Sequence, residues 1–444
     1  MLNRVLITLV VILCVAIPRW YYVSTFAISL PFWDQWDAEG DYLLRPYMEG
    51  KLRLRELWQP HNEHRIFPTR LLSLLIFEIT GEWNNLTEAF VNVFLAASIP
   101  AILVYTIHKH RDLAGFRWLF VPVLLAQFAL PFSFENYLIG FQSQFYFLVL
   151  FTVSALIIAA YVPDNKFRIP GIITLCVLSV ITMASGLLTP ITIACVFCLD
   201  WYMNRNYPSR NVLSFGLLIL IALFGFLILP ATAGNEIYKS RDASEFLSAA
   251  AYMLSWPVVE NKWASLLWLP GAVMILFLLL SKKMTRPDLL LAGCYIWSLC
   301  QAVAIAYGRG QNLTIISSRY TELLTIGIVS NAWFSVRFIE ESGNRWYRWS
   351  FLPFFFIYFT TQKGRLKSDM LDVRKTHRYS IFQMENVTAY LETKDSAYLQ
   401  KKEREIPFPD PVRLKLLLDN PTLQSTFPSP LRESLEKGHK KSAR

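Results

Sequence analysis

The sequence predicts an all-α polytopic membrane protein, with about eleven transmembrane helices and surface helices in its first outer loop. Three observations carry that fold class. Apolar residues make up 54% of the 444 residues, and the mean hydropathy is +0.34, above what a soluble chain of this length carries. Apolar runs of about twenty residues recur, the length at which a helix crosses roughly 30 Å of hydrocarbon. Basic residues stand in short segments between those runs. The formal charge of +10 is therefore distributed as membrane-protein loops, which argues against a nucleic-acid-binding face.

The first run follows Arg4, in "VLITLVVILCVAI". It reads as an uncleaved span over 5–27, because no small-x-small cleavage site follows and the chain continues into "PRWYY". Segment 28–85 is too polar for a simple hairpin. Within it, "DAEGDYLLRPYMEG" and "HRIFPTRLLSLLIFEIT" read as helices on the membrane surface, the second with Leu71, Leu72, Leu75 and Ile79 on one face. Further spans are expected at 86–107, 117–134, 141–162, 169–185, 187–202, 211–230, 263–281, 288–307, 320–338 and 346–361, of which 187–202 is short. The basic segments 108–117, 164–168, 204–210, 281–287 and 337–348 then fall on one side, which makes it cytoplasmic. Segments 28–85, 135–140, 231–262, 308–319 and the tail from 362 fall on the other.

The chain thus divides into a transmembrane domain, 1–361, and a small non-cytoplasmic module, 362–444. In the module "RKTHRYSIFQMENVTAYLETKDSAYLQKK" reads as helix. Pro409 and Pro411 precede a short helix near 412–418, Asn420-Pro421 stops it, and the final "KGHKKSAR" reads as disordered. The six cysteines all lie in apolar runs, and Cys195 and Cys198 have no accompanying pair or histidine cluster, so small core residues fit better than a metal or disulfide framework.

Ionisable chemistry concentrates in the first outer loop. In "PFWDQWDAEGD", Asp34 and Asp37 stand one helical turn apart, so both carboxylates can address one substrate. Trp33 and Trp36 suit the membrane–water interface and also suit stacking on a sugar ring. The plainer alternative makes Asp37 the cap of "AEGDYLL", with Glu39 and Asp41 toward solvent. In "QPHNEHRIFP", His61, Glu63, His64 and Arg65 form a second cluster. The histidines lack the i, i+4 spacing of a zincin helix, so no metal ligand set is assigned, although a divalent metal on these groups and nearby carboxylates stays open. Arg65 and Arg70 could hold lipid phosphates. A third cluster, "AYGRGQNLTIISSRY", places Arg309 between glycines and Arg319 beside Tyr320 at the start of a span. Arginines on the outer side run against the positive-inside tendency, which favours an anion site there over snorkelling to headgroups. Glu135, Asn136, Gln142 and Gln144 could add polar contacts to the same cavity, or serve as interhelical packing.

With its acidic "FWDQWD" in the first outer loop, and then "HNEHRIFPTRLLSLLIFEITGEWNNLTEAFVNVFLAASIPAILVYTIHKHR", the chain resembles the GT-C superfamily of membrane glycosyltransferases. The layout is similar over 5–340 and the motifs over 31–108. Where that family commonly has His-Pro-Pro, this chain has His61-Asn62-Glu63, which argues against protein O-mannosyltransferases and aminoarabinose transferases proper. The chain is also similar to the bacterial and phage-encoded transferases that glucosylate O-antigen. The resemblance implies a polyprenyl-phosphate-linked sugar as donor, a glycan or lipid-linked acceptor, and a bacterial inner membrane with the site facing the periplasm. It further implies Asp34 as the base, with Asp37 as its backup, and Arg309, Arg319 and Arg65 as a clamp on the leaving phosphate. Phosphate leaves readily, so no cofactor is required, and no Walker motif indicates ATP. Two rivals remain: a polysaccharide polymerase, which would concentrate its chemistry in a large late outer loop, and a lipid or glycan transporter, which would line a path through the membrane.

Overall fold

A computed structural model of the protein describes residues 2–110, 112–204, 209–230, 234–258, 261–341 and 352–442. Arg111, most of the basic segments 204–210 and 337–348, and the start of the span expected at 346–361 lie outside them. The described residues are helical, without a strand. In chain order the α-helices are α1 (Leu2–Phe26), α2 (Arg45–Met48), α3 (Leu54–Trp58), α4 (Phe67–Thr80), α5 (Asn85–Lys109), α6 (Phe120–Ala129), α7 (Phe134–Leu138), α8 (Ser143–Tyr161), α9 (Arg168–Val180) and α10 (Leu188–Asn204). There follow α11 (Ser209–Leu227), α12 (Ala243–Met253), α13 (Leu269–Leu280), α14 (Arg286–Arg309), α15 (Ser318–Glu341), α16 (Leu352–Thr393), α17 (Pro411–Leu418), α18 (Pro421–Thr426) and α19 (Ser429–Ser442).

Among the described residues, eight helical segments are long and apolar enough to cross a membrane: Arg4–Phe26, Asn85–Lys109, Gly115–Leu138, Gly140–Tyr161, Ala184–Asn204, Lys262–Leu280, Arg286–Arg309 and Ser318–Glu341. These make the protein an α-helical polytopic membrane protein. Two shorter apolar helices, Arg168–Val180 and Leu213–Leu227, stand where the sequence predicts further spans.

The centre of the bundle is α15. Small and hydroxyl residues let its neighbours approach closely, as is usual between membrane helices. A Cβ on Gly327 would stand 2.5 Å from the Cβ of Ser298 and 2.6 Å from the Trp268 ring. Asn331 donates to the Leu267 carbonyl at 2.8 Å and accepts from Gly271 N at 2.7 Å, which pins α13 to it. One turn into α15, Glu322 meets Arg19 of α1, both fully buried, at 3.4 Å. Arg19 also donates to Tyr146 on α8 at 2.8 Å and to the Phe128 carbonyl on α6, while Ser133 Oγ donates to Glu322. This network joins four helices just beneath the end where α1 stops and α5 and α15 begin.

The loop between α1 and α5 departs from the sequence reading. "WDAEGDYLL" forms a π-helix, Trp36–Leu44, with i→i+5 bonding. Its N-cap is Gln35, which makes no side-chain cap bond, so Asp37 is not the cap. The wider turn carries Glu39 and Asp41 inward: they are 1% and 4% exposed, not solvent-facing as an ordinary helix from Asp37 would leave them. Trp36 packs edge-on against Trp83 at 5.2 Å and Phe427 at 6.0 Å. Gly40 is required there, since a Cβ would lie 2.7 Å from the Trp83 ring.

Phe427 belongs to the tail, and this contact is general. Leu30, Trp36, Leu44, Phe77 and Trp83 of the loop share one core with Val387, Leu391, Leu414, Leu418 and Leu431. The boundary drawn at 361/362 falls inside α16, a 42-residue helix. Its buried positions, Phe354, Tyr358, Gln362, Arg365, Asp369 and Val373, continue at helical spacing across that boundary. The final segment is helical through Ser442, where the sequence reading placed disorder.

Candidate active site

Where α1 ends and α5, α8 and α15 begin, a cavity of about 400 Å³ opens between the bundle and α16. One wall is apolar, with Phe26, Ile28, Phe134, Leu138 and Phe141; the polar wall carries Asp34, Glu135, Gln142 and Arg319. From the tail come Asp372, Lys375, Tyr379 and Arg404.

Asp34 is placed by a tight turn. Trp33 adopts φ 46° and donates its N–H to the Pro407 carbonyl at 2.7 Å, while Gln35 N–H and Trp36 N–H close back on Phe32 and Trp33. A left-handed backbone at a bulky residue is strained, and here it lies beside the carboxylate that faces the cavity. The Asp34 side chain is 41% exposed, with Oδ1 3.4 Å from His61 Nε2. Burial works to raise the Asp34 carboxyl, but hydrogen bonding to His61 and the charges of His61 and Arg319 outweigh it and hold it below the usual range. It is a carboxylate at neutral pH.

His61 and His64 are paired by reciprocal backbone bonds of 2.8 and 3.0 Å, with Asn62 at φ 50° between them. His61 stands edge-on to Phe141 at 5.5 Å. His64 accepts a hydrogen bond from Ala184 N at Nδ1, 3.2 Å away. Burial dominates its surroundings and brings its pKa down to about 4, so it is neutral and structural.

Arg319 lies in the first turn of α15. Glu135 Oε2 accepts from Ser317 Oγ (2.8 Å), Ser318 Oγ (2.7 Å) and Arg319 N (3.1 Å), and Asn136 Nδ2 donates to the Arg319 carbonyl at 2.9 Å. The backbone is thereby fixed, and the guanidinium stands over the Tyr320 ring at 5.4 Å. It makes no ion pair among the described residues.

Other residues of the three clusters sit elsewhere. Asp37 pairs with Arg413 of the tail at 3.0 Å, and Arg413 also contacts Asp41. Glu63 pairs with Arg309 at 2.5 Å and accepts from Asn235, and Arg309 stacks on Tyr238 at 5.0 Å. Arg65 donates to the carbonyls of Trp58 (3.0 Å) and Ile228 (2.8 Å). Arg70 is fully buried with its Nη1 on the carbonyls of Glu56, Leu57 and Gln59, so it is not a surface phosphate ligand. Asp37, Glu63, Arg65 and Arg309 therefore tie loops together and do not line the cavity that Asp34 and Arg319 share. Asn136 serves as interhelical packing through its bond to the Arg319 carbonyl, and Gln144 bonds locally, to Gln142 at 3.2 Å. Among the described residues, no group of three or more His, Cys, Asp or Glu is arranged to hold a metal ion.

Lys375 and Arg404 were not singled out by the sequence. For Lys375 a usable signal existed: no proline occurs between Pro353 and Pro407, so the last apolar helix can run on and bring a charged face to the cavity; Arg404 lies beyond that helix, in the turn Glu403–Glu405.

The chain matches no protein-family model, no curated protein and no solved structure. The chemistry of the cavity must carry the functional reading. It joins three carboxylates, Asp34, Glu135 and Asp372, with three cations, Arg319, Lys375 and Arg404, and an apolar wall, which suits an amphiphile with a charged head.

Proposed function

We propose that the protein is a GT-C-like membrane glycosyltransferase, moving a sugar from a polyprenyl-phosphate donor to a glycan or lipid-linked acceptor. The observation that carries this reading is that Asp34 and Arg319, whose guanidinium makes no ion pair among the described residues, face one cavity with an apolar wall. Asp34 takes the proton of the acceptor hydroxyl as the new bond to the sugar C1 forms. The bond from C1 to the phosphate oxygen breaks, and Arg319, with Lys375 and Arg404, stabilises the charge that collects on the leaving phosphate. The apolar wall holds the first isoprene units. No step requires a metal.

In this reading the chain crosses the membrane eleven times, counting α9, α11 and the first part of α16. The cavity, the first loop and the tail then face outward, toward the periplasm of a bacterial inner membrane. A transporter would need a polar path across the bundle; beneath this cavity stands the closed Arg19–Glu322 network instead. The test is mass spectrometry of lipid that co-purifies with the protein. Polyprenyl phosphates should be enriched with the native chain and lost with Arg319→Ala; bulk phospholipid alone in both would sink the proposal.

A further inference from the structure

Behind the cavity wall two acidic side chains meet that the mechanism above does not use. Glu39 lies on the π-helix and Glu88 on the first turn of α5, 1% and 4% exposed. Gln35 Nε2 donates to both, to Glu39 Oε2 at 2.9 Å and to Glu88 Oε2 at 3.0 Å. Trp83 Nε1 donates to Glu39 at 3.1 Å, and Ser73 Oγ to Glu88 at 2.7 Å. One amide thus holds both carboxyls side by side, and a proton kept by the pair relieves the repulsion of two like charges. Close like charges in a buried site do not both ionise.

Two other charges face the pair. Arg70 reaches it from α4 and His61 from the segment before α4. A pair that keeps a proton carries at most one charge, and two like charges this close and this deeply buried disfavour the second ionisation. Burial is the largest influence on Glu39 and pushes it up to about 7, against the bonds from Trp83 and Gln35.

The bridging amide belongs to the residue after Asp34. Gln35 Oε1 accepts from Phe32 N at 3.0 Å, so the pair, through Gln35, anchors the turn that contains the strained Trp33 and Asp34. A left-handed non-glycine residue persists only where its surroundings over-determine it. We propose that Glu39 and Glu88, bridged by Gln35, form a clamp that positions Asp34 against His61 and Arg319. The proposal rests on the reading of Asp34 as the base. Neither glutamate lines the cavity; both act through Gln35, as positioning residues. The sign follows from two acids that burial raises, Glu39 to about 7 and Glu88 well above its usual range: the clamp is complete while the pair keeps its protons, and it loosens as the first of them leaves with pH rising through about 7.

The test uses the full-length protein in detergent and two readouts. The first is hydrogen exchange of the peptide spanning residues 31–37, corrected for the intrinsic pH dependence. In the native chain its protection should fall at least about tenfold between mildly acidic and mildly alkaline pH. In Glu88→Gln, whose amide donates to Glu39 without a proton to lose, protection should stay constant. A peptide equally protected across that range in the native chain overturns the clamp. The second readout is transfer rate against pH at saturating donor. The native enzyme should show an alkaline limb that Glu88→Gln removes or shifts upward by about one unit or more, with turnover at neutral pH preserved. An unchanged limb in that variant overturns the positioning role. Absence of transfer with every lipid-linked donor would instead defeat the proposed function, while the exchange experiment still decides the clamp.

Discussion

Replacing Arg319 by lysine separates phosphate binding from membrane anchoring. The backbone at Arg319 is held by Glu135 and Asn136, and its guanidinium is stacked on Tyr320, so the variant alters the head group and little else. A guanidinium can give two parallel hydrogen bonds to a phosphate, whereas an ammonium is a point charge. One charge-assisted bond is worth about 1.5–3 kcal/mol, so Arg319→Lys should lower kcat/KM for the lipid donor by roughly 10- to 150-fold. Arg309 is the internal control. It is already paired with Glu63, with side chains 30% and 27% exposed, and such partly exposed pairs contribute at most about 1 kcal/mol. A lysine there keeps the pair, and kcat/KM should stay within about twofold of native. The assay is initial-rate transfer in lipid nanodiscs at limiting donor. Equal losses in the two variants, or normal turnover by Arg319→Lys, would refute the assignment of the anion site.

Three further outcomes are expected. Asp34→Asn should reduce turnover by about 10²–10⁴ with folding intact, whereas Asp37→Asn should leave turnover near native and weaken docking of the tail through Arg413, read as faster proteolysis after Thr393; the reverse pattern would move the base to Asp37. The double variant Lys375→Ala with Arg404→Ala should raise the donor KM at least about tenfold without changing thermal unfolding; an unaltered KM would remove the tail from the site. Arg19→Met should strip Glu322 and Tyr146 of their buried partner and cost about 3–5 kcal/mol, measured as unfolding in mixed micelles; native stability would mean that the network is dispensable.

The sequence made the membrane helices legible because hydropathy is a local property, and a run such as 288–307 carries its own signal. Arg319 was legible for a related reason: a cation at the outer end of a span is conspicuous against the charge bias of the loops. Asp34 was marked by the density of acids around it, but its neighbours were misjudged. Glu39 and Asp41 look solvent-facing on an ordinary helix, and nothing local announces that Trp36–Leu44 will widen into π geometry under the packing of Trp36 and Gly40 on Trp83. Arg309 was grouped with Arg319 in one clamp, because the partner that commits Arg309 is Glu63, far away in sequence. The tail was read as a separate module for the same reason. Its apolar residues match those of the first loop only across more than 300 positions, as Arg413 does Asp37.

The unbroken course of α16 has a consequence for how the protein comes into being. A chain emerging from the ribosome delivers Asp34 early and Arg319 much later, but the wall with Lys375, Tyr379 and Arg404 emerges after both. Until then Trp36 lacks Phe427, one of its two aromatic neighbours, and the strained turn at Trp33 lacks the Pro407 carbonyl that receives its N–H. The geometry that defines the cavity is therefore completed only beyond α16, once Arg404 and Pro407 have been added. A polypeptide interrupted before that point is left without a formed pocket, and its first loop keeps an unfinished wall.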